Sequence, residues 1–175
     1  CNNLYYLNNN LKDLNNINDI LEIGSYEGRS AIFFLKTFPN ARITCVDTWS
    51  GSDEHINENF DIIESYFDKN TGNYQNEKRL IKIKDSSDNF FLENTHKFDL
   101  IFVDGDHSSK QVKKDINNSW EILKNGGYLI LDDYLWWYYR NLRENPSSSI
   151  NSFIEQNIAN IDDLKVWKQI IIKKH

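Results

Sequence analysis

Five largely apolar segments, residues 20–23, 43–46, 80–83, 100–103 and 128–131, constrain this chain's fold more than anything else in it. A strand with one wet face alternates apolar and polar residues, whereas a strand apolar along its length must be covered on both faces. Amphipathic segments at helical spacing separate the five runs. This alternation predicts a mainly parallel sheet between two layers of helices. The fold class is therefore α/β, a three-layer Rossmann-like arrangement.

One helix is expected from the turn after residue 23 through Ala31, Phe34 and Leu35 to Pro39. Another is expected over residues 54–69, with Ile56, Phe60, Ile63 and Phe67 on one face. Phe90 and Leu92 mark a short helix, and Val112, Ile116, Trp120 and Leu123 a longer one that Gly126 and Gly127 close. Past Pro146, Phe153, Ile154 and Ile158 set a further helix. Residues 166–172 then read as a final strand or pair, antiparallel to the rest. Ahead of the first strand, Leu4, Leu7, Leu11 and Leu14 predict a short amphipathic helix within an asparagine-rich stretch.

The 175 residues suit one domain, 1–175, with residues 1–18 as an N-terminal helical segment. No methionine occurs, so the chain is expected to be processed at its N-terminus or excised from a longer protein. No apolar run approaches a membrane span, which predicts a soluble, cytoplasmic protein with no membrane partner. Cys45 falls inside an apolar run, so a buried, reduced thiol is expected rather than a disulfide. A net charge of −6 disfavours nucleic acid as a partner, because that binding rests on neutralising phosphates. Lys110, Lys113 and Lys114 form a basic run, but Asp115 follows, and a solvated helix face accounts for it. A homodimer and tethering to further domains are both compatible with the sequence.

In sheets of this kind ligands gather at the carboxyl ends of the strands. Gly24, Asp47, Ser86, Asp104, Asp132 and Asp133 all fall there. "LEIGSYEGRS", residues 21–30, reads as a strand, a turn and a helix start, in which Gly24 and Gly28 permit tight turning and close approach of a ligand. The helix start favours a carboxylate or phosphate, and Ser30 adds a hydroxyl. An ordinary glycine-rich turn explains the same letters equally well. Asp47 tips the balance, since an acid ending the second strand can accept both hydroxyls of a ribose; its bland role is to cap the next turn. Thr48 and Trp49 follow, and the indole can cover an adenine or fill the core. Ser86 and Ser87, after the third strand, are candidates for the adenine edge. NAD and S-adenosylmethionine both fit this layout. The turn G-S-Y-E-G lacks the G-x-G-x-x-G pyrophosphate fingerprint, and a single helix start suits the lone carboxylate of S-adenosylmethionine better.

Four stretches, "LEIGSYEGRS", "CVDTWSGSDEH", "FDLIFVDGDHSSKQVKKDI" and "LKNGGYLILDDYLW", together resemble the class I S-adenosylmethionine-dependent methyltransferases. Within that class they look like the metal-dependent O-methyltransferase branch, which includes catechol and macrolide-sugar O-methyltransferases. The likeness runs from about Asp19 to the end. It implies that Gly24, Tyr26 and Ser30 hold the methionine part of the donor, Asp47 its ribose and Ser86 its adenine. Ser25, Gly28, Thr48, Trp49, Asp85 and Asp104 complete the implied cofactor set. Asp104, Asp132 and Asp133 match the positions that carry a divalent cation in that branch, and His107 matches a lysine or histidine base. The last cation position is often asparagine there; here it is Asp133.

Three carboxylates at two neighbouring strand ends make a hard oxygen site suited to Mg²⁺. A cation there lowers the pKa of a hydroxyl, and His107, one helical step from Asp104, can take the proton. His107 and Asp104 are thus the catalytic candidates. The bland readings make Asp106 and Ser108 helix caps, Asp133 a cap for the turn before Tyr134, and His107 a solvated helix-start residue. His55 is expected to line the site without a named role, and His96 and His175 to lie on the surface. In "YLWWYYR", Leu135 suggests core, while Trp136, Trp137 and Tyr138 are expected to wall the acceptor pocket. "ENPSSS" reads as a mobile loop able to act as a lid. The expected activity is Mg²⁺-dependent methyl transfer to a hydroxyl of a small polyhydroxylated acceptor, a sugar or glycan. A metal-independent N- or O-methyltransferase and a non-catalytic donor-binding domain of a larger protein are the alternatives. Asp104, His107, Asp132 and Asp133 together count against the last.

Overall fold

The computed structural model of the protein describes residues 2–51, 59–136 and 138–175. In chain order the elements are α1 (Asn2–Leu11), β1 (Asp19–Ile23), α2 (Arg29–Thr37), β2 (Arg42–Asp47), α3 (Phe60–Asn76), β3 (Leu80–Lys84), α4 (Ser87–Glu93) and β4 (Phe98–Val103). They continue with α5 (Ser109–Ile122), β5 (Leu123–Leu131), α6 (Pro146–Asn157), β6 (Ile161–Val166) and β7 (Ile170–Lys174). Among the described residues, seven strands form one sheet in the order β3-β2-β1-β4-β5-β7-β6. β1 to β5 run parallel, and β7 and β6 add an antiparallel hairpin beside β5. The chain winds outward from β1 to β3 and then returns to β4 on the other side of β1. That reversal opens a crevice at the carboxyl ends of β1 and β4.

Alternation along each strand sends side chains to two separate cores. In β4, Leu100 and Phe102 join Phe34, Leu35 and Phe67 on one face. Ile101 and Val103 join Val112, Ile116, Trp120 and Phe153 on the other. The predicted N-terminal helix is α1, and its Leu7 and Leu11 are fully buried in the first core. Each such burial contributes roughly 2 kcal/mol, enough to hold a short helix that would not persist alone. Cys45 is buried with a free thiol, as expected. No helix among the described residues is long and apolar enough to cross a membrane.

Four expectations need correction. The helix placed at 54–69 spans Phe60–Asn76, with Asn59 capping it by accepting the Ile62 N–H. It runs on through the Asn- and Gly-rich stretch because Thr71 is fully buried and bonds back to the Phe67 carbonyl at 2.7 Å. Ile56, the remainder of that expected helix start, His55 and Trp137 lie outside the described residues. Gly126 and Gly127 do not close α5, which ends at Ile122. They sit within β5, where the register against β4 jumps from Phe98–Leu123 to Leu100–Tyr128. The strand bulges there, and Gly126 takes a φ of 75°. "ENPSSS" is not a mobile lid: Asn145 caps α6, Pro146 occupies its first turn, and Asn145, Pro146 and Ser149 are buried. Asp115 does not share the solvated face of Lys110, Lys113 and Lys114; it is 1% exposed.

Candidate active site

A cleft of about 730 Å³ opens at the carboxyl ends of the parallel strands. Its first half is built on the turn after β1. Gly24 holds a φ of 84°, and a Cβ there would lie 2.0 Å from the Asp104 carbonyl oxygen, so only glycine lets β1 and β4 end this close together. Gly28 caps α2 with a φ of 80° and packs behind the cleft, where a Cβ would meet Thr71 at 2.6 Å. Ser25, Tyr26 and Ser30 face the cleft between them.

Asp47, at the end of β2, organises this half. Its Oδ2 accepts the backbone N–H of Ser25 at 2.8 Å and of Tyr26 at 2.9 Å, and its Oδ1 accepts that of Trp49 at 2.7 Å. Tyr26 and Trp49 both hold left-handed backbone, φ 47° and 45°. Such conformations cost about 1–2 kcal/mol each, and charge-assisted bonds to one carboxylate offset that. The expected turn-capping role is therefore real, and Asp47 also lines the cleft, with one lone pair, on Oδ1, left over for a ligand. Trp49 fills the core and also reaches the cleft. It is buried edge-on against Phe67, donates its indole N–H to the Tyr26 carbonyl at 2.9 Å, and lines the cleft beside Thr48. Asp85 and Ser86 line it after β3, with Ser86 capping α4.

Sequence reasoning missed three groups around the cleft. Asp115 turns into the cleft from α5, accepting from Ser87 Oγ at 2.7 Å and Gln111 Nε2 at 3.2 Å, and burial raises its carboxyl to about 6. Glu22, inside an apparently apolar strand, is fully buried beneath the turn, with the Cys45 thiol 3.4 Å from its Oε2. Burial outweighs the pull of Ser25, Ser30 and Cys45 and raises this carboxyl to about 7. Asn3 and Leu4 of α1 also line the cleft. A polar residue next to the Leu4, Leu7, Leu11 stripe was the only signal for them.

The second half lies at the ends of β4 and β5. Asp104, His107 and Asp133 bring one ligand atom each within 4.8 Å of one another. His107 Nε2 is 2.8 Å from Asp133 Oδ2 and 3.8 Å from Asp104 Oδ1. Burial alone would lower the imidazole's pKa, but its pairing with the two carboxylates and their charges raise it to about 11. In this arrangement His107 is the counter-ion of the acids. Asp133 reaches it from a left-handed backbone, φ 54°, and its carboxyl is held low by the hydrogen bond and charge of His107, despite burial. Asp104 is pushed well up by burial and by the charges of Asp132 and Asp133, against the pull of the nearby His107. Asp132 stands beside this trio, its Oδ1 accepting from Asn3 Nδ2 at 3.0 Å. Burial and then the charge of Asp133 raise its carboxyl to about 6. Two carboxylates and an imidazole this close, with a third acid beside them, are a donor set that fits a divalent cation.

Asp106 and Ser108 act as caps at the start of α5, as expected. Trp136 stacks on His107 with ring centroids 5.0 Å apart, so it roofs the acid cluster while remaining 39% exposed. Tyr138 is half exposed and meets Tyr139 edge to face; neither Trp136 nor Tyr138 is part of the cleft wall itself. His96 and His175 are on the surface.

Comparisons with known proteins agree with this geometry. A family model described as a methyltransferase domain matches residues 21–134, more than half of the chain. An uncharacterized protein of Acanthamoeba polyphaga mimivirus is 27% identical over 119 residues, 65% of this chain and 50% of that protein. The chain thus spans about half the length of that curated relative. Among solved structures, a proposed caffeoyl-CoA O-methyltransferase from Staphylococcus aureus superposes with a TM-score of 0.73 at 21% identity, covering 99% of this chain and 83% of the other. An O-methyltransferase from Bacillus cereus in complex with S-adenosylhomocysteine gives 0.63 at 17% identity, covering 98% and 79%. The MycE methyltransferase of mycinamycin biosynthesis, in complex with Mg and S-adenosylhomocysteine, gives 0.69 at 17%, covering 97% and 48%. At these identities the superpositions speak for the fold, and the matched family model goes further: the chain belongs to the methyltransferase-domain family, with the fold of its class I members.

Proposed function

We propose that the chain is an S-adenosylmethionine-dependent O-methyltransferase that uses a divalent cation, Mg²⁺, and acts on a hydroxyl of a small polyhydroxylated acceptor such as a sugar or glycan. The observation that carries this reading is the continuity of one cleft from the Asp47-braced turn to the Asp104, His107 and Asp132 carboxylate-imidazole end. The S-adenosylhomocysteine and Mg in the MycE complex and the O-methyltransferase activity named for the Bacillus cereus protein support it.

On this reading the turn at Gly24 to Ser30 and the start of α2 seat the methionine part of the donor, Asp47 the ribose, and Asp85 and Ser86 the adenine. Asp104, Asp132 and Asp133 would hold the cation. When bound, the ion supplies positive charge that lowers the pKa of an acceptor hydroxyl and replaces His107 as counter-ion of the acids. Freed from that task, the imidazole takes the hydroxyl proton at Nε2. The acceptor oxygen then forms its bond to the methyl carbon as the carbon–sulfur bond breaks, and the sulfonium leaves as a neutral thioether. Most of the acceleration comes from holding the two reactants in line. Trp136, stacked on His107, shields that proton transfer from water.

The ion pair of His107 with Asp133 at 2.8 Å favours one second reading, a metal-independent methyltransferase whose acids orient the acceptor. Transfer of labelled methyl from S-adenosylmethionine to a panel of sugars, nucleotide sugars, catechols and RNA, with and without chelator, decides between them. Loss of turnover in chelator, restored by Mg²⁺, and a severe loss in His107→Ala are the expected results. Undiminished turnover in chelator removes the cation, and transfer to none of the panel removes the acceptor class.

A further inference from the structure

We propose that Asn3 and Gln169 are positioning residues that fix the orientation of the Asp132 carboxylate, so that α1 and the β6–β7 hairpin are parts of the active site rather than its cover. The inference rests on the cation reading above.

Three segments far apart in the chain meet at this corner. Asn3 Nδ2, from the first turn of α1, donates to Asp132 Oδ1 at 3.0 Å. Gln169, in the hairpin between β6 and β7, is 0% exposed. Neither its amide nitrogen nor its amide oxygen makes a hydrogen bond of good geometry among the described residues. β5 and β7 pair antiparallel with Leu131 opposite Ile170, which brings the next residues along, Asp132 and Gln169, to the same corner. The hairpin is itself pinned to both neighbours. The Tyr134 N–H donates to the Lys168 carbonyl at 3.1 Å, just beyond Asp132 in sequence, and Trp167 stacks on Tyr6 of α1 with centroids 4.9 Å apart.

A buried carboxamide without good partners is rare and needs a reason. As a core filler Gln169 would be a poor choice, because leucine occupies similar space with no polar atoms to satisfy. Beside a carboxylate it makes sense: its N–H donors are available to the acid, and Asn3 already holds Oδ1. Two amides of this kind select one rotamer of Asp132 and leave Oδ2 for a cation. Supports behind a metal ligand typically change metal affinity by about 10–100-fold when removed.

The test uses the whole chain and Mn²⁺ alone, with free Mn²⁺ counted by electron paramagnetic resonance. The variants are Asn3→Ala, Gln169→Leu and Asp132→Asn. The expected result is that wild type binds Mn²⁺, Asp132→Asn loses most of the affinity, and Asn3→Ala and Gln169→Leu each lose roughly tenfold or more. S-adenosylhomocysteine affinity stays near the wild-type value in both, and the Tm of Gln169→Leu does not fall, which a purely structural glutamine could not combine with weaker Mn²⁺ binding. If wild type binds Mn²⁺ and Asp132→Asn does not, but Asn3→Ala and Gln169→Leu bind like wild type, the inference is overturned while the cation reading stands. If wild type and Asp132→Asn alike fail to bind Mn²⁺, the cation reading falls and takes this inference with it.

Discussion

Replacing Glu22 by glutamine should stabilise the protein above neutral pH and do much less in acid. Glu22 is fully buried under the glycine turn, and its carboxyl is raised from 4.5 to about 7, chiefly by burial. That gap corresponds to about 3 kcal/mol in favour of the protonated side chain. The sign follows from which state loses its proton first. Below pH 4.5 both folded and unfolded chains carry the proton and the group costs little. As pH rises from 4.5 toward 7 the unfolded chain ionises first, so stability falls; above about 7 the loss is complete. Glutamine has nearly the same shape and no proton to lose. Its advantage over glutamate should be under about 1 kcal/mol larger at pH 5 than in stronger acid, and should approach about 3 kcal/mol at pH 8. In a chain of this size that is a Tm gain of roughly 6–12 °C. Any fixed cost of fitting an amide beside Cys45 is the same at both pH values and cancels in the comparison. Urea unfolding followed by tryptophan fluorescence, run on both proteins at pH 5 and pH 8, measures it. A stability gap that does not change between the two pH values would refute the account of a buried, proton-holding Glu22.

Two further predictions concern the same half of the cleft. Asp47→Ala removes the acceptor of three backbone N–H groups, and with it the charge-assisted bonds that offset the left-handed backbone of Tyr26 and Trp49. Stability should fall by about 2–4 kcal/mol and S-adenosylhomocysteine affinity by more than about tenfold, measured by denaturant melts and calorimetry; an affinity within about twofold of wild type would contradict the assigned role. Gly24→Ala drives a methyl into the Asp104 carbonyl and should cost more than about 2 kcal/mol; a melt unchanged from wild type would show that the two strand ends do not meet as described.

What could be read from the sequence follows from where the physics is local. Apolar runs such as residues 100–103 name buried strands, and acids placed just after them, Asp47 and Asp104, name the ligand end of the sheet. The caps Ser108 and Asp106 were equally legible, because capping involves residues two or three positions apart. Glu22 was not legible, since nothing in four letters says that an acid in a strand faces inward toward a thiol from the next strand. Asn3 and Gln169 stand 129 and 37 positions from Asp132, and such meetings are set only by the packing of whole elements. "ENPSSS" was misread although the signal was present: asparagine followed by proline is also how a helix begins, and α6 begins there. Asp115 was read with its lysine neighbours, whereas helical geometry points adjacent residues to different sides.

Methyl transfer on the proposed chemistry demands a set separation between the donor's sulfur and the acceptor's oxygen. In this fold that gauge is cut in main chain: the bend after the first strand rests directly on the peptide ending the fourth, with no room for even one carbon between them. Side chains on the acceptor's flank that hold neither donor nor cation are then free to diverge and admit new alcohols without loosening the reach of the transfer.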